Sequence, residues 1–132
     1  MKKVSSIPSD MQQKKSILII DDDSRNIFAL SAVLKAKGFS CVSALGAKEG
    51  LSILSENSSV GVVLLDMMMP EMDGYEAIPR IKQLNPEIPI VAVTAQAMVG
   101  DREKCLQAGA DEYVAKPVDV DRMVTLLKEF LK

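Results

Sequence analysis

The 132-residue chain has no histidine and no tryptophan, only two cysteines, and 4% aromatic residues. Without histidine it cannot carry a Ser-His-Asp triad. It cannot supply its own phosphohistidine, and it lacks the usual zinc-ligand sets. Cys41 and Cys105 form no Cys-x-x-Cys pair, and lone cysteines of this kind read as small core residues in a reducing compartment. No run nears the roughly 18 apolar residues of a membrane-spanning helix. Lys2-Lys3 is followed by no apolar signal-peptide core, so no membrane insertion and a cytoplasmic location are expected. A basic face is missing too. Sixteen Lys and Arg stand against 18 Asp and Glu, for a net charge of −2, and the basic residues are scattered. That argues against direct nucleic-acid contact.

What remains is enough for a real core. The length suits one domain, and 48% of residues are hydrophobic, as is ordinary for a globular protein. With so few aromatics the core must be aliphatic. The eight methionines read as gap-fillers within it.

Four short apolar runs each end on a polar residue able to do chemistry. Residues 16–20 run into Asp21, Asp22 and Asp23. Residues 60–65 run into Asp66, 88–93 into Thr94, and 112–115 into Lys116-Pro117. Between them the pattern is helical. Ser24 is placed to cap a helix through Ile27, Leu30 and Leu34 that stops at Gly38. A short strand is expected over 40–44 and a short helix from Ala47 to about Ser55. Asp73 and Glu76 make a capping-box-like start to a helix ending near Leu84. A further helix runs from about Val99 to Gly109, and a last one over 119–131. Pro79 falls about six positions into the third helix, where it removes a backbone hydrogen bond and clashes with the preceding turn. A kink or local break is predicted near Tyr75–Pro79. Residues 1–15 are polar and read as a flexible N-terminal extension, leaving 16–132 as the folded domain.

Five strand–helix units with nearly unbroken apolar strands predict an α/β fold, a doubly wound parallel sheet covered on both faces. In such sheets ligands bind outside the carboxyl ends of the strands. Asp21, Asp22, Asp66, Thr94 and Lys116 then converge at one edge. Clustered carboxylates repel by about 1–4 kcal/mol per pair between water-like and surface-like dielectrics, and a cation offsets that. Oxygen ligands without His or Cys favour Mg²⁺, Mn²⁺ or Ca²⁺, and few protein ligands plus a phosphate suit Mg²⁺ best. A carboxylate beside such an ion can attack phosphorus and form an aspartyl phosphate. Lys116 can neutralise one phosphoryl oxygen and Thr94 can donate a hydrogen bond to another. The Lys116-Pro117 bond is a candidate cis peptide. Asp23 and Asp73 read as turn or cap residues, and Met67-Met68-Met69 as packing rather than a thioether metal site.

The run 17–23, the segment from Leu64 to Gly74, Val93-Thr94-Ala95, and the segment from Gly109 to Pro117 together resemble the receiver domains of two-component response regulators. The four motifs occur in order over roughly residues 16–131, which makes the resemblance specific. It implies a flavodoxin-like (βα)5 sandwich with strand order 2-1-3-4-5. It implies that Asp66 accepts a phosphoryl group from the phosphohistidine of a histidine kinase or histidine phosphotransfer protein. Asp22 and Asp66 would ligate Mg²⁺, with Mn²⁺ as the substitute and the Met68 backbone carbonyl as a further ligand. Asp21 would act mainly through bound water. Lys116 and Thr94 would contact the phosphoryl group, and Thr94 and Tyr113 would form a switch. The face of the fourth helix, fifth strand and fifth helix would then change its affinity for a downstream protein effector. The segment from Thr94 to Cys105 looks most like receivers attached to hybrid histidine kinases. Met68 has no polar head to hydrogen-bond an attacking water, whereas Gln96 could, which predicts slow-to-moderate loss of the phosphoryl group.

Such a module promotes its own phosphorylation without being a classical turnover enzyme. Three other readings compete. A pseudo-receiver would bind partners without phosphorylation, but the acid–Thr–Lys set is complete. An aspartate-nucleophile phosphohydrolase would use Asp21-x-Asp23, but no cap insertion follows. A flavodoxin-like cofactor binder would need a Ser/Thr/Gly-rich phosphate loop where this chain places acids.

Overall fold

The structure, a computed structural model, describes residues 15–95 and 100–131. Ten elements alternate along it: β1 (Ser16–Ile20), α1 (Ser24–Ala36), β2 (Ser40–Ala44), α2 (Ala47–Glu56), β3 (Val60–Asp66), α3 (Gly74–Leu84), β4 (Ile90–Thr94), α4 (Asp101–Ala108), β5 (Glu112–Ala115) and α5 (Val120–Phe130). The expected extension and the start of the helix near Val99 lie outside the described residues, apart from Lys15. The strands form one parallel sheet in the order β2-β1-β3-β4-β5, which is the expected doubly wound α/β architecture.

Side chains alternate across each strand, so every strand feeds two cores. Leu18, Ile20, Val63, Leu65, Ile90 and Ala92 face one layer with Ala77, Ile78, Ile81 and Cys105. Ile17, Ile19, Val62, Leu64, Val91, Val93 and Val114 face the other with Leu34, Met123 and Leu127. Burying each such Leu or Ile contributes about 1.5–3 kcal/mol, which is why these strands read as unbroken apolar runs. Met67, Met69, Met72 and Met123 are buried and fill the place aromatics would take. Met68 is about half exposed, at 49%.

Helix ends follow from local chemistry, with two corrections. Asp23, not Ser24, is the N-cap of α1: its carboxylate accepts the Arg25 N–H at 2.9 Å. The Arg25 guanidinium closes on the same carboxylate at 3.1 Å and holds its carboxyl below the usual range. Ser24 is the first helical residue instead. The break expected near Pro79 is also absent, since α3 runs unbroken from Gly74 to Leu84. Pro79 faces solvent while Ala77, Ile78 and Ile81 are buried. The carbonyl that loses its partner lies on the wet side, and the buried stripe holds the helix across it. Asp73 caps α3 as expected, accepting the Glu76 N–H at 3.0 Å. Gly38 and Gly109, at φ 95° and 119°, take the left-handed conformation that stops a helix.

Candidate functional site

Strand register alone brings the acids together. Ile20 pairs with Leu65 across β1 and β3, so Asp21 and Asp66 follow at the same level. The Asp21 N–H extends the ladder to the Ala44 carbonyl at 3.1 Å, and the Met67 N–H reaches the Val93 carbonyl at 2.9 Å. Carboxylate oxygens of Asp21, Asp22 and Asp66 all lie within 4.8 Å of one another. Asp21 and Asp66 are only 7% and 6% exposed, whereas Asp22 is exposed.

Lys116 follows β5 through the cis Lys116–Pro117 bond that the sequence nominated. Its N–H donates to the Thr94 carbonyl at 2.8 Å. Its ammonium stands 3.5 Å from Asp21 Oδ2 and 3.9 Å from Asp66 Oδ2. Both distances exceed the roughly 2.7–2.9 Å of a tight charge-assisted hydrogen bond, so Lys116 is shared between two carboxylates rather than closed on either. One positive charge facing three negative ones leaves the cluster overcharged.

Each carboxylate is also oriented. Asp21 Oδ1 accepts the Asp23 N–H at 2.9 Å and Asp21 Oδ2 the Asn26 side-chain N–H at 3.5 Å. Asp66 Oδ1 accepts the Met68 N–H at 3.0 Å. Burial pushes the Asp66 carboxyl above the usual carboxylate range, and the charges of Asp21 and Asp22 push it further. The Met68 N–H and Lys116 pull the other way without cancelling the burial.

Thr94 stands at the end of β4, buried, opposite Ala115 of β5. By strand alternation it shares the sheet face of Ala92 and of Tyr113, which pairs with Ala92. Asp21, Asp66 and Lys116 take the other parity. Tyr113 is partly buried against the α3–α4 layer. The Arg122 side chain of α5 donates to the Tyr113 carbonyl at 3.1 Å.

Sequence reasoning missed Asn26 and the cleft it borders. A cavity of ≈ 550 Å³ runs from Asp21, Asp66 and Lys116 between α1 and α5, past Ala29, Leu30, Val33, Val118 and Val120. Asn26 lies in the first turn of α1, and only the helix direction turns it back onto Asp21. The proposed water-orienting Gln96 lies outside the described residues.

The donor set is all oxygen, and its spacing fits a small hard cation. No helix among the described residues is long and apolar enough to cross a membrane.

Comparison with known proteins points the same way. The family model described as the response regulator receiver domain matches residues 17–128. The sensor histidine kinase RcsC of Salmonella typhi is 36% identical over 115 residues, which is 87% of this chain and 12% of that protein. The chain therefore spans only a small part of that relative. The polar-differentiation response regulator DivK of Brucella anthropi is 31% identical, over 89% of this chain and 96% of its own length. Among solved structures, the receiver domain of the sensor histidine kinase PA1611 from Pseudomonas aeruginosa PAO1 superposes with a TM-score of 0.80 at 29% identity. It covers 89% of this chain and 97% of that one, and it holds a magnesium ion coordinated in its active-site cleft.

Proposed function

The chain belongs to the response regulator receiver domain family of two-component systems, and from that premise we propose that it is a phosphoacceptor whose Asp66 takes a phosphoryl group from a partner's phosphohistidine. Receivers are signalling modules rather than classical enzymes, and this chain is read as one, with the domain spanning 16–132 and 1–15 as an extension. The partner is a histidine kinase or a histidine phosphotransfer protein, and the reaction takes place in the cytoplasm.

The observation that carries the reading is the overcharged cluster: three carboxylates within 4.8 Å of one another, with Lys116 shared between the two buried ones. Such an arrangement is unfavourable alone and becomes balanced when a cation and a phosphoryl group join it. Asp21, Asp22, Asp66 and the Met68 carbonyl would hold Mg²⁺, or Mn²⁺ in its place, and the ion when bound supplies positive charge against the phosphoryl oxygens.

An Asp66 oxygen attacks phosphorus as the phosphorus–nitrogen bond of the donor breaks. The imidazole leaves with the electron pair and takes up a proton. Met68 N–H holds the other Asp66 oxygen in place. Lys116 meets one phosphoryl oxygen as a point charge, and Thr94 donates its hydroxyl to another. The pull on Thr94 draws Tyr113 inward on the face the two residues share. The α4–β5–α5 surface changes with it, and so does its affinity for a protein effector. Release of the phosphoryl group is slow to moderate, and loss within seconds would count against that.

The test is intact-mass measurement after incubation with acetyl phosphate and Mg²⁺. Native protein gains one phosphoryl mass, Asp66→Asn gains none, and omitting Mg²⁺ abolishes the gain. Native protein that stays unmodified, indistinguishable from Asp66→Asn, would leave a pseudo-receiver in its place. Steady phosphate release from ordinary monoesters would point to an enzyme.

A further inference from the structure

We infer that Tyr75 and Cys105 form a latch pinning α4 to α3, and that loading of Asp66 releases it. The release half rests on the proposed function, while the latch itself does not.

Among its described residues helix α4 buries one side chain, with Ala108 partly buried against the same core and Arg102 beside Glu112 at 3.8 Å. Its residues run Asp101, Arg102, Glu103, Lys104, Cys105, Leu106, Gln107, Ala108, and Cys105 is the buried one, at 1% exposure. By contrast α3 buries Gly74, Ala77, Ile78 and Ile81. A thiol is a small anchor, so whatever secures Cys105 adds directly to how firmly the helix sits. The Tyr75 hydroxyl meets the Cys105 sulfur at 3.8 Å. This joins the first turn of α3 to the middle of α4 across 30 residues of sequence. Tyr75 is 37% exposed, so its hydroxyl has an alternative partner in water. The hydroxyl can therefore close on the sulfur, as it does here, or turn out to water.

The closed state is tied to the acid cluster through backbone. The Met67 carbonyl accepts the Gly74 N–H at 3.2 Å. A Cβ on Gly74 would stand 2.8 Å from the Met67 Cα and collide with the Met67 sulfur. The two backbones are thus in direct contact, and Tyr75 is the next residue. Met67 lies between Asp66 and Met68, whose N–H is bonded to the Asp66 carboxylate. A phosphoryl group on Asp66 must compete for that N–H, and the rigid Met67–Gly74 contact carries the adjustment to Tyr75. Tyr113 packs against the same buried layer that holds Cys105. The thiol thus touches Tyr75 and shares a core layer with the proposed switch residue, so movement of either ring alters its cover.

The reactivity of Cys105 toward a disulfide reagent such as DTNB reads this directly, in the full chain with Cys41→Ala so that one thiol reports. Tyr75→Phe keeps the ring and removes the hydroxyl. It should speed labelling of the unloaded protein by about five-fold, the opening expected for loss of one weak hydrogen bond. Mg²⁺ with beryllofluoride should speed the parent similarly and add little to Tyr75→Phe. Hydrogen exchange of the α4 amides should rise in the same samples. An unloaded Tyr75→Phe rate equal to the parent's would overturn the latch. An unchanged parent rate while fluorine NMR shows bound beryllofluoride would overturn the release. No bound beryllofluoride at all would count against the proposed function instead, and the Tyr75→Phe comparison would still decide the latch.

Discussion

The two ends of one sheet are built to opposite rules. At the amino end, Asp111 and Lys82 close on each other at 3.0 Å. The same Asp111 oxygen accepts the Ile90 N–H at 2.8 Å, and the Lys82 ammonium donates to the Ile88 carbonyl at 2.8 Å. One negative charge meets one positive charge, and both are further hydrogen-bonded. At the carboxyl end, three carboxylates face one ammonium held at 3.5 and 3.9 Å. The first arrangement is complete in itself. The second is complete only with something added. The difference separates a group that fastens β4 and β5 to α3 from groups kept for an incoming charge, although both are acids beside a lysine.

Exchanging the two roles should fail in ways that differ by size. The largest effect belongs to Lys116. Lys116→Met should slow phosphoryl uptake from acetyl phosphate by about 10²–10³-fold, the cost of removing one preorganised positive group from a transition state, as followed by intact mass over time. Uptake within two-fold of native would remove Lys116 from the site. Next comes Asp111→Ala at the other end. It leaves the Ile90 N–H without its acceptor and should cost about 1–3 kcal/mol of stability, read by urea unfolding, with uptake at Asp66 unchanged. A partly exposed ion pair adds little to that figure. Smaller still is Asp23→Ala. It removes the α1 cap and the Arg25 pair but touches neither end's charge balance, so it should lower the melting temperature less than Asp111→Ala does and leave uptake as it was.

The carboxyl end was largely legible from sequence, because a parallel sheet turns strand ends into neighbours. Runs of apolar residues marked the strands, and the polar residue closing each run marked the edge. The register of Ile20 with Leu65 and of Thr94 with Ala115 then did the rest. The cap of α1 was legible only as a choice: Asp23 read as a turn or cap residue and Ser24 as the cap, both are good caps, and which one serves depends on how the turn after Asp21 folds. Pro79 misled because its cost depends on which side of the helix meets water, and that is set by tertiary packing. Asn26 and the Tyr75–Cys105 contact were invisible because they depend on helix rotation and on a pairing between residues far apart in sequence. The amino-end pair was missed for the same reason: nothing near Lys82 in sequence announces Asp111.

The carboxyl end also carries a signature in stability. Burial raises the Asp66 carboxyl above its ordinary range, so the folded protein binds that proton more tightly than the unfolded chain does. The group's contribution to stability is therefore fully present at low pH and is lost as pH rises through the raised value. At neutral pH and without a cation, Asp66 works against the fold. The most direct test is the thermal unfolding of native protein and Asp66→Asn at pH 7.5, each with EDTA and with Mg²⁺. Asp66→Asn should melt above native protein in EDTA, and Mg²⁺ should raise native protein more than the variant, closing or reversing the gap. A variant that melts below native protein in EDTA, or equal Mg²⁺ shifts in both, would contradict the account of the carboxyl end as a site held open for added charge.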